Sequence, residues 1–202
     1  MVKVIVAVTG MPGSGKSLVA RVLAEALGAE YYSMGDAVRR EVERRGLPLT
    51  VENVEYVATM LRREHGRAAV AKLLLPDIEN AGTEYVVVDG LRSVDEAGVL
   101  ASAGRVCIVA VHASPKVRLE RLMRRGRVDD IRGARDLALR DRKNLEYGIG
   151  EAIALADFMI VNEGSIEEAR RQALIVARRI ADGKGKSCCG GRLEAYGGPG
   201  EG

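Results

Sequence analysis

The sequence predicts an α/β fold: a five-stranded parallel sheet flanked by helices, with one helical excursion from it. Three observations carry that reading. Short strand-forming runs at 2–9, 29–33, 84–89, 105–112 and 157–161 alternate with stretches of helical periodicity. Most of these runs are apolar nearly throughout, which suits strands buried on both faces of a parallel sheet. The first run is followed at once by Gly10-Met11-Pro12-Gly13-Ser14-Gly15-Lys16-Ser17, and then by a helical pattern. Finally, residues 33–80 show helical patterns with no strand between them.

Each element has its own signal. The helix at 18–27 is stopped by Gly28, and 29–33 is a short second strand. Tyr31 and Tyr32 on it are expected to pack between the sheet and the helical excursion. A helix at 34–45 carries Asp36 in its first turn and Gly46 beyond its end. Thr50 and Asn53 mark the start of a helix at 50–64, and another at 67–80 is expected to bend or end at Pro76. The strand at 84–89 ends in Asp89, and a helix at 93–103 follows. After the strand at 105–112, Ser114-Pro115 opens a helix running to about residue 125, with the pattern broken over 126–132. Helices at 133–146 and 149–155 precede the last strand, and Ser165 with Glu168 opens the final helix as a capping box. Residues 1–182 thus form one domain, with 33–80 as a helical subdomain. The glycine-rich tail, 183–202, is not expected to fold.

Composition bounds the rest. A chain of 202 residues with 47% apolar content can bury a proper core. Its net charge of +3 does not demand nucleic acid, and one Phe with no Trp leaves little for base stacking, so a nucleic-acid partner is not expected. Arginine makes up 24 of the 31 basic residues, which favours planar, bidentate recognition of phosphates. No apolar run is long enough to span a bilayer, and the first strand starts by residue 2. No membrane association and a cytoplasmic location are therefore expected. Cys107 reads as a buried thiol, and the adjacent Cys188 and Cys189 in the tail imply no disulfide framework. His65 and His112 lack metal-ligand spacing.

The stretch Gly10 to Ser17 satisfies G-x-x-x-x-G-K-[ST] in its required strand–loop–helix setting, which defines a P-loop NTPase fold. Glycines let backbone N–H groups approach an anion, and the positive end of the following helix faces the same point. Gly10, Met11, Pro12, Gly13, Ser14, Gly15, Lys16 and Ser17 are accordingly the candidates to bind ATP. Lys16 brings a full charge to the β/γ-phosphates. The Ser17 hydroxyl and the Asp89 carboxylate are candidate Mg²⁺ ligands, directly or through water. Ligands of such folds lie at the carboxyl ends of the strands, so Gly10, Asp36, Asp89, His112 and Asn162 are expected to line one crevice.

Further residues carry a resemblance. Ser33-Met34-Gly35-Asp36-Ala37-Val38-Arg39 resembles the acceptor motif of adenylate kinases and other nucleoside monophosphate kinases. Asp89-Gly90-Leu91-Arg92 resembles their Asp-Gly-Phe-Pro-Arg motif without its proline. The resemblance implies that Gly35, Asp36, Arg39 and Arg92 bind an acceptor, with Arg39 and Arg92 on its phosphate. The arginine-rich stretch from Arg118 to Arg142 includes Arg124-Arg125-Gly126-Arg127, which resembles a short lid at 124–132. Arg127 and Arg140 are the leading candidates to close over the transferring phosphoryl group, with Arg124 and Arg142 next.

Residues 156–168 are similar to the C-terminal strand–loop–helix of dephospho-coenzyme A kinase, which implies that Asn162 lies near the adenine. Asp36-Ala37-Val38-Arg39 also matches an Asp-Ala-x-x-Arg element of that family, whose aspartate is a base on a ribose hydroxyl. The strand end Asp-Gly-Leu-Arg departs from the apolar sequence found there. As a whole, residues 1–182 look like an archaeal group of P-loop proteins related to both kinases. The implied activity is transfer of the γ-phosphate of ATP·Mg²⁺ to a nucleoside monophosphate or similar nucleotide. Two alternatives stand beside it: phosphorylation of a 3′-hydroxyl in the manner of dephospho-coenzyme A kinase, and a switch or assembly factor that hydrolyses ATP and transfers nothing. The acceptor, the choice of ATP over GTP and the oligomeric state stay open.

Overall fold

Ile5, Val6, Ala7 and Val8 are all fully buried, so the first strand has no wet face and takes the middle of the sheet. In the computed structural model, which describes residues 3–125, 133–183 and Cys189, the strands are β1 (Val4–Thr9), β2 (Glu30–Ser33), β3 (Tyr85–Leu91), β4 (Arg105–His112) and β5 (Phe158–Val161). All pair in parallel, in the order β2-β3-β1-β4-β5. The helices are α1 (Lys16–Leu27), α2 (Met34–Arg44), α3 (Val51–His65), α4 (Ala69–Glu79), α5 (Val94–Leu100), α6 (Pro115–Arg125), α7 (Ala134–Glu146), α8 (Ile149–Ala154) and α9 (Ile166–Asp182).

Strand alternation divides the core between the two faces of the sheet. Ile5, Ala7, Val86, Val88 and Ile108 point to the side covered by α2 to α5 and α8. Val6, Val8, Val87 and Val109 point to the side covered by α1 and α9. Tyr32 packs on the first side, as expected, but Tyr31 packs on the second, because neighbours on a strand must face opposite ways.

The structure corrects four local readings. Pro76 does not end α4, which continues to Glu79; Leu74 and Ile78, both fully buried, anchor the helix on either side of it. α5 stops at Leu100, and residues 101–103 wind on through single turns, not a continued helix. Asp89 does not end its strand. Val8 pairs with Asp89 and Thr9 with Leu91, so Gly90, at φ +101°, is the extra residue of a bulge and β3 runs on to Leu91. Cys107 is buried, but it is joined to Cys189 by a disulfide, which ties that residue of the tail to the core.

A candidate nucleotide-binding and acceptor site

The glycine-rich loop leaves β1 and enters α1, whose helical turn begins at Lys16, two residues earlier than the apolar pattern indicates. Ser14 N–H closes a turn on the Met11 carbonyl at 3.0 Å, and Leu18 and Val19 both donate to the Gly15 carbonyl. The amides at the start of α1 are the orphan donors of any helix N-terminus and can bind an anion. Two glycines are required by what surrounds them. A Cβ on Gly10 would stand 2.4 Å from the Val111 carbonyl oxygen. A Cβ on Gly15, already at φ +90°, would stand 2.2 Å from Asn162 Nδ2.

The loop is clasped from outside. Asn162, buried, donates its amide to the Ser14 carbonyl at 2.8 Å, and its own oxygens accept from Arg121. Arg118 donates to the Pro12 carbonyl at 3.0 Å while making a two-pronged ion pair with Asp141. Arg118 and Arg121 were visible only as members of an arginine-rich stretch. Their spacing of three on α6, which puts both on one helix face, is the signal that could have found them.

Inside the loop opens a cavity of about 530 Å³. Its lining joins the loop residues Gly10, Pro12, Gly13, Lys16 and Ser17 to Gly35, Asp36, Arg39, Asp89, Gly90, Arg92 and Arg140. Met11, Ser14, Gly15 and Asn162 stand behind this lining. His112 is exposed and outside it; its carbonyl oxygen instead accepts from the Asn162 N–H at 2.8 Å. Arg127 and residues 126–132 of the expected lid lie outside the described residues, as does most of the tail.

Asp89 is buried. Its Oδ2 accepts from the Tyr31 phenol at 2.9 Å, whereas its Oδ1 has no hydrogen-bond partner among the described residues. Burial and then the Asp89 charge push the Tyr31 phenol well above its ordinary range, so it stays a donor. Asp89 and Ser17 both line this cavity, and a carboxylate with a hydroxyl is the hard-oxygen donor set that a Mg²⁺–nucleotide complex uses. Among the described residues no group of three or more metal-binding side chains occurs, so the nucleotide phosphates and water would complete the shell.

Another part of the lining is built on two guanidiniums. Arg62 of α3 pairs with the fully buried Glu96 of α5 at 2.8 Å, and the other Glu96 oxygen accepts from Arg92 N–H at 2.7 Å. The Tyr147 ring stands 4.5 Å from the Arg62 guanidinium carbon and 5.9 Å from that of Arg92. Burial, and then the charge of Arg62, press the Arg92 guanidinium below its ordinary pKa, and among the described residues its side chain makes no hydrogen bond. Burial pushes the Glu96 carboxyl up, and Arg62 opposes that. Glu96 is thus ion-paired with Arg62, while of Arg92 it holds only the backbone N–H, and both guanidiniums line the cavity. Asp36 is ion-paired with Arg39, both partly exposed, and Glu55 of α3 faces Lys143 at 3.1 Å and Arg140 at 3.9 Å across to α7. Sequence reasoning missed Arg62, Glu96 and Tyr147, which only the packing of α3, α5 and α7 brings together.

A phosphate-loop motif between β1 and α1 of a five-stranded parallel sheet, opening on a cavity that arginines also line, defines a P-loop kinase-like fold. Residues 9–137 match the pattern of an AAA domain. The chain belongs to the UPF0200 family: it is 59% identical over 177 residues to a UPF0200 protein of Aeropyrum pernix, covering 87% of this chain and 93% of that protein. In fold it resembles a gluconokinase from Sinorhizobium meliloti 1021, with a TM-score of 0.54, 24% identity and 89% and 94% of the two chains covered. It also resembles a shikimate kinase from Acinetobacter baumannii in complex with shikimate, with a TM-score of 0.56, 18% identity and 92% and 97% covered. Among the described residues, no helix is long and apolar enough to cross a membrane.

Proposed function

We propose that this protein is an ATP·Mg²⁺-dependent phosphotransferase whose acceptor carries a phosphate, as a nucleoside monophosphate does. The observation that carries the reading is Arg92: its guanidinium stands with that of Arg62 at the Tyr147 ring, has no hydrogen-bond partner among the described residues, and lines the cavity that the phosphate loop opens. Such a pair calls for an anion, and planar guanidiniums suit a phosphate. Lys16 and the start of α1 hold the donor's phosphates. Ser17 and Asp89 would hold Mg²⁺. Arg92, with Arg39, holds the acceptor phosphate, and Arg140 brings charge from α7. When bound, ATP·Mg²⁺ supplies the γ-phosphoryl group and leaves as ADP. An acceptor phosphate needs no general base, so positioning and charge neutralisation carry the catalysis.

A hydroxyl acceptor is the second reading, favoured by one observation: Asp36 lines the same cavity and has a carboxylate to act as base. The gluconokinase and shikimate kinase that share the fold are named for acceptors that are not nucleotides. A phosphotransfer screen separates the readings. The protein with ATP·Mg²⁺ is offered AMP, CMP, UMP, GMP, dephospho-coenzyme A, shikimate and gluconate, with ADP and phosphorylated acceptor measured separately. We expect product from a nucleoside monophosphate, a fall of about 10²-fold or more in turnover for Lys16→Ala, and a raised acceptor KM for Arg92→Ala. Product only from a hydroxyl acceptor, lost in Asp36→Asn, would select the second reading. ADP without a phosphorylated acceptor would point to a hydrolytic switch.

A further inference from the structure

Tyr31 and Asp89 meet across the β2–β3 pairing. Tyr31 pairs with Val87 and Ser33 with Asp89, so Tyr31 and Asp89 sit on the same face of adjacent strands, the face that α1 covers. From there the phenol reaches along the sheet to Asp89 Oδ2 at 2.9 Å. Arg21, one helical turn beyond Ser17 on α1, lies over the Tyr31 ring at 5.1 Å. Ser17, Arg21, Tyr31 and Asp89 therefore form a continuous wall of the cavity. Within that wall the only strong acceptor of Asp89 still without a partner among the described residues is Oδ1, and it is buried.

We infer that Tyr31 is the positioning residue of the metal site: its phenol occupies Asp89 Oδ2 and thereby presents Oδ1 to a divalent cation or to a water bound on it. The inference rests on the reading that the loop binds a Mg²⁺ nucleotide. A carboxylate with two free oxygens can rotate, or take a cation with both oxygens at once, a mode that suits the larger, looser shell of Ca²⁺. Mg²⁺ demands near-octahedral geometry, which one fixed oxygen supports. A hydrogen bond from outside the shell sets ligand orientation, and its loss characteristically weakens metal binding about 10–100-fold. Tyr31→Phe removes that hydrogen bond while keeping the ring under Arg21.

The test uses the full chain and a non-hydrolysable ATP analogue, followed by calorimetry with and without Mg²⁺ and by Mn²⁺ electron paramagnetic resonance. In Tyr31→Phe, affinity for the analogue without metal should stay within about twofold. The gain that Mg²⁺ adds should fall about tenfold or more, and the preference for Mg²⁺ over Ca²⁺ should narrow. An unchanged metal dependence, with only a lower melting temperature, would overturn the inference and leave the phenol a structural contact. If Asp89→Asn keeps the full Mg²⁺ gain, the metal site itself is misassigned. Failure of the unaltered chain to bind the analogue would instead defeat the proposed function. A measurement on the unaltered chain guards against a variant that does not fold. With the analogue present, Mn²⁺ should broaden one of the six tyrosine ring resonances far more than the rest. Even broadening of all six, or of none, would overturn the inference.

Discussion

Glu41 of α2 is buried and accepts hydrogen bonds from three donors, Arg44 Nε and Nη2 and Arg45 Nε, at 2.7, 2.8 and 2.7 Å. The Arg44 hydrogen bonds hold its carboxyl down to about 2, against the opposing pull of burial. A carboxyl whose folded pKa lies below its unfolded value of about 4.3 adds stability that is complete above that value. The stability drains away as pH falls toward 2. Glu41→Gln should therefore destabilise the fold by about 1–2 kcal/mol at neutral pH, the lower part of the range because exposed Arg44 is screened by water and salt. Thermal melts from pH 7 to pH 2 should show the gap between the two proteins closing below about pH 4.3; a gap independent of pH would refute the assignment. This contact was readable in the sequence, since spacings of three and four on a helix bring Glu41 to Arg44 and Arg45. Tyr31 and Asp89 were not readable as partners. They lie 58 positions apart, and only the β2–β3 register makes them neighbours.

At the scale of elements, local chemistry and tertiary packing divide the credit. The capping box at α9 is local: Ser165 Oγ accepts from Glu168 N–H at 3.2 Å, and Glu168 Oε2 accepts from Ser165 N–H at 2.8 Å. Both contacts follow from a spacing of three, so the sequence showed them. Ser165→Ala should cost about 1 kcal/mol of stability and leave nucleotide binding unchanged, because α9 packs beneath the sheet face and does not line the cavity. Urea unfolding and an ATP-analogue titration check the two halves; a weakened titration would mean that the cap also steadies Asn162, three residues before it. Pro76 and Asp89 show the other side. A proline reads as the bend or the end of a helix, yet α4 does not end there, held past it by buried Leu74 and Ile78. An acid after three valines reads as a strand end, yet the Gly90 bulge carries β3 two residues further. In both cases long-range burial overrode the local preference. The same holds for the arginine pair of the cavity, where Arg62 and Glu96, 34 positions apart, meet only once α3 packs on α5.

At the scale of the whole molecule, one contact runs against what the composition indicated. Glycines after α9 indicate a tail unable to bury a core of its own, and for most of that tail the reading stands untested. Cys189 is the exception, because it needs no core: it is joined to Cys107 of β4, packed against the apolar cluster beneath α1 and α9. The link spans 82 positions of sequence, so it removes a large loop-closure entropy from the unfolded chain, by about 2–4 kcal/mol on the usual scale. Cys107 pairs with Val6, in the middle of β1, whereas the phosphate loop leaves β1 beyond Thr9. The bond therefore fastens the body of the sheet and not the strand ends from which the glycine-rich loop leaves. Reductant should lower the melting temperature of the unaltered chain and leave Cys189→Ser, already low, where it is. ATP-analogue affinity at 25 °C should be the same in both states. Equal melting with and without reductant, together with three titratable thiols in the unfolded chain before reduction, would show that the bond does not form. A loss of analogue affinity on reduction would show that strain at Val6 reaches the phosphate loop, and the sheet would then have to be treated as one coupled lever from β4 to Lys16.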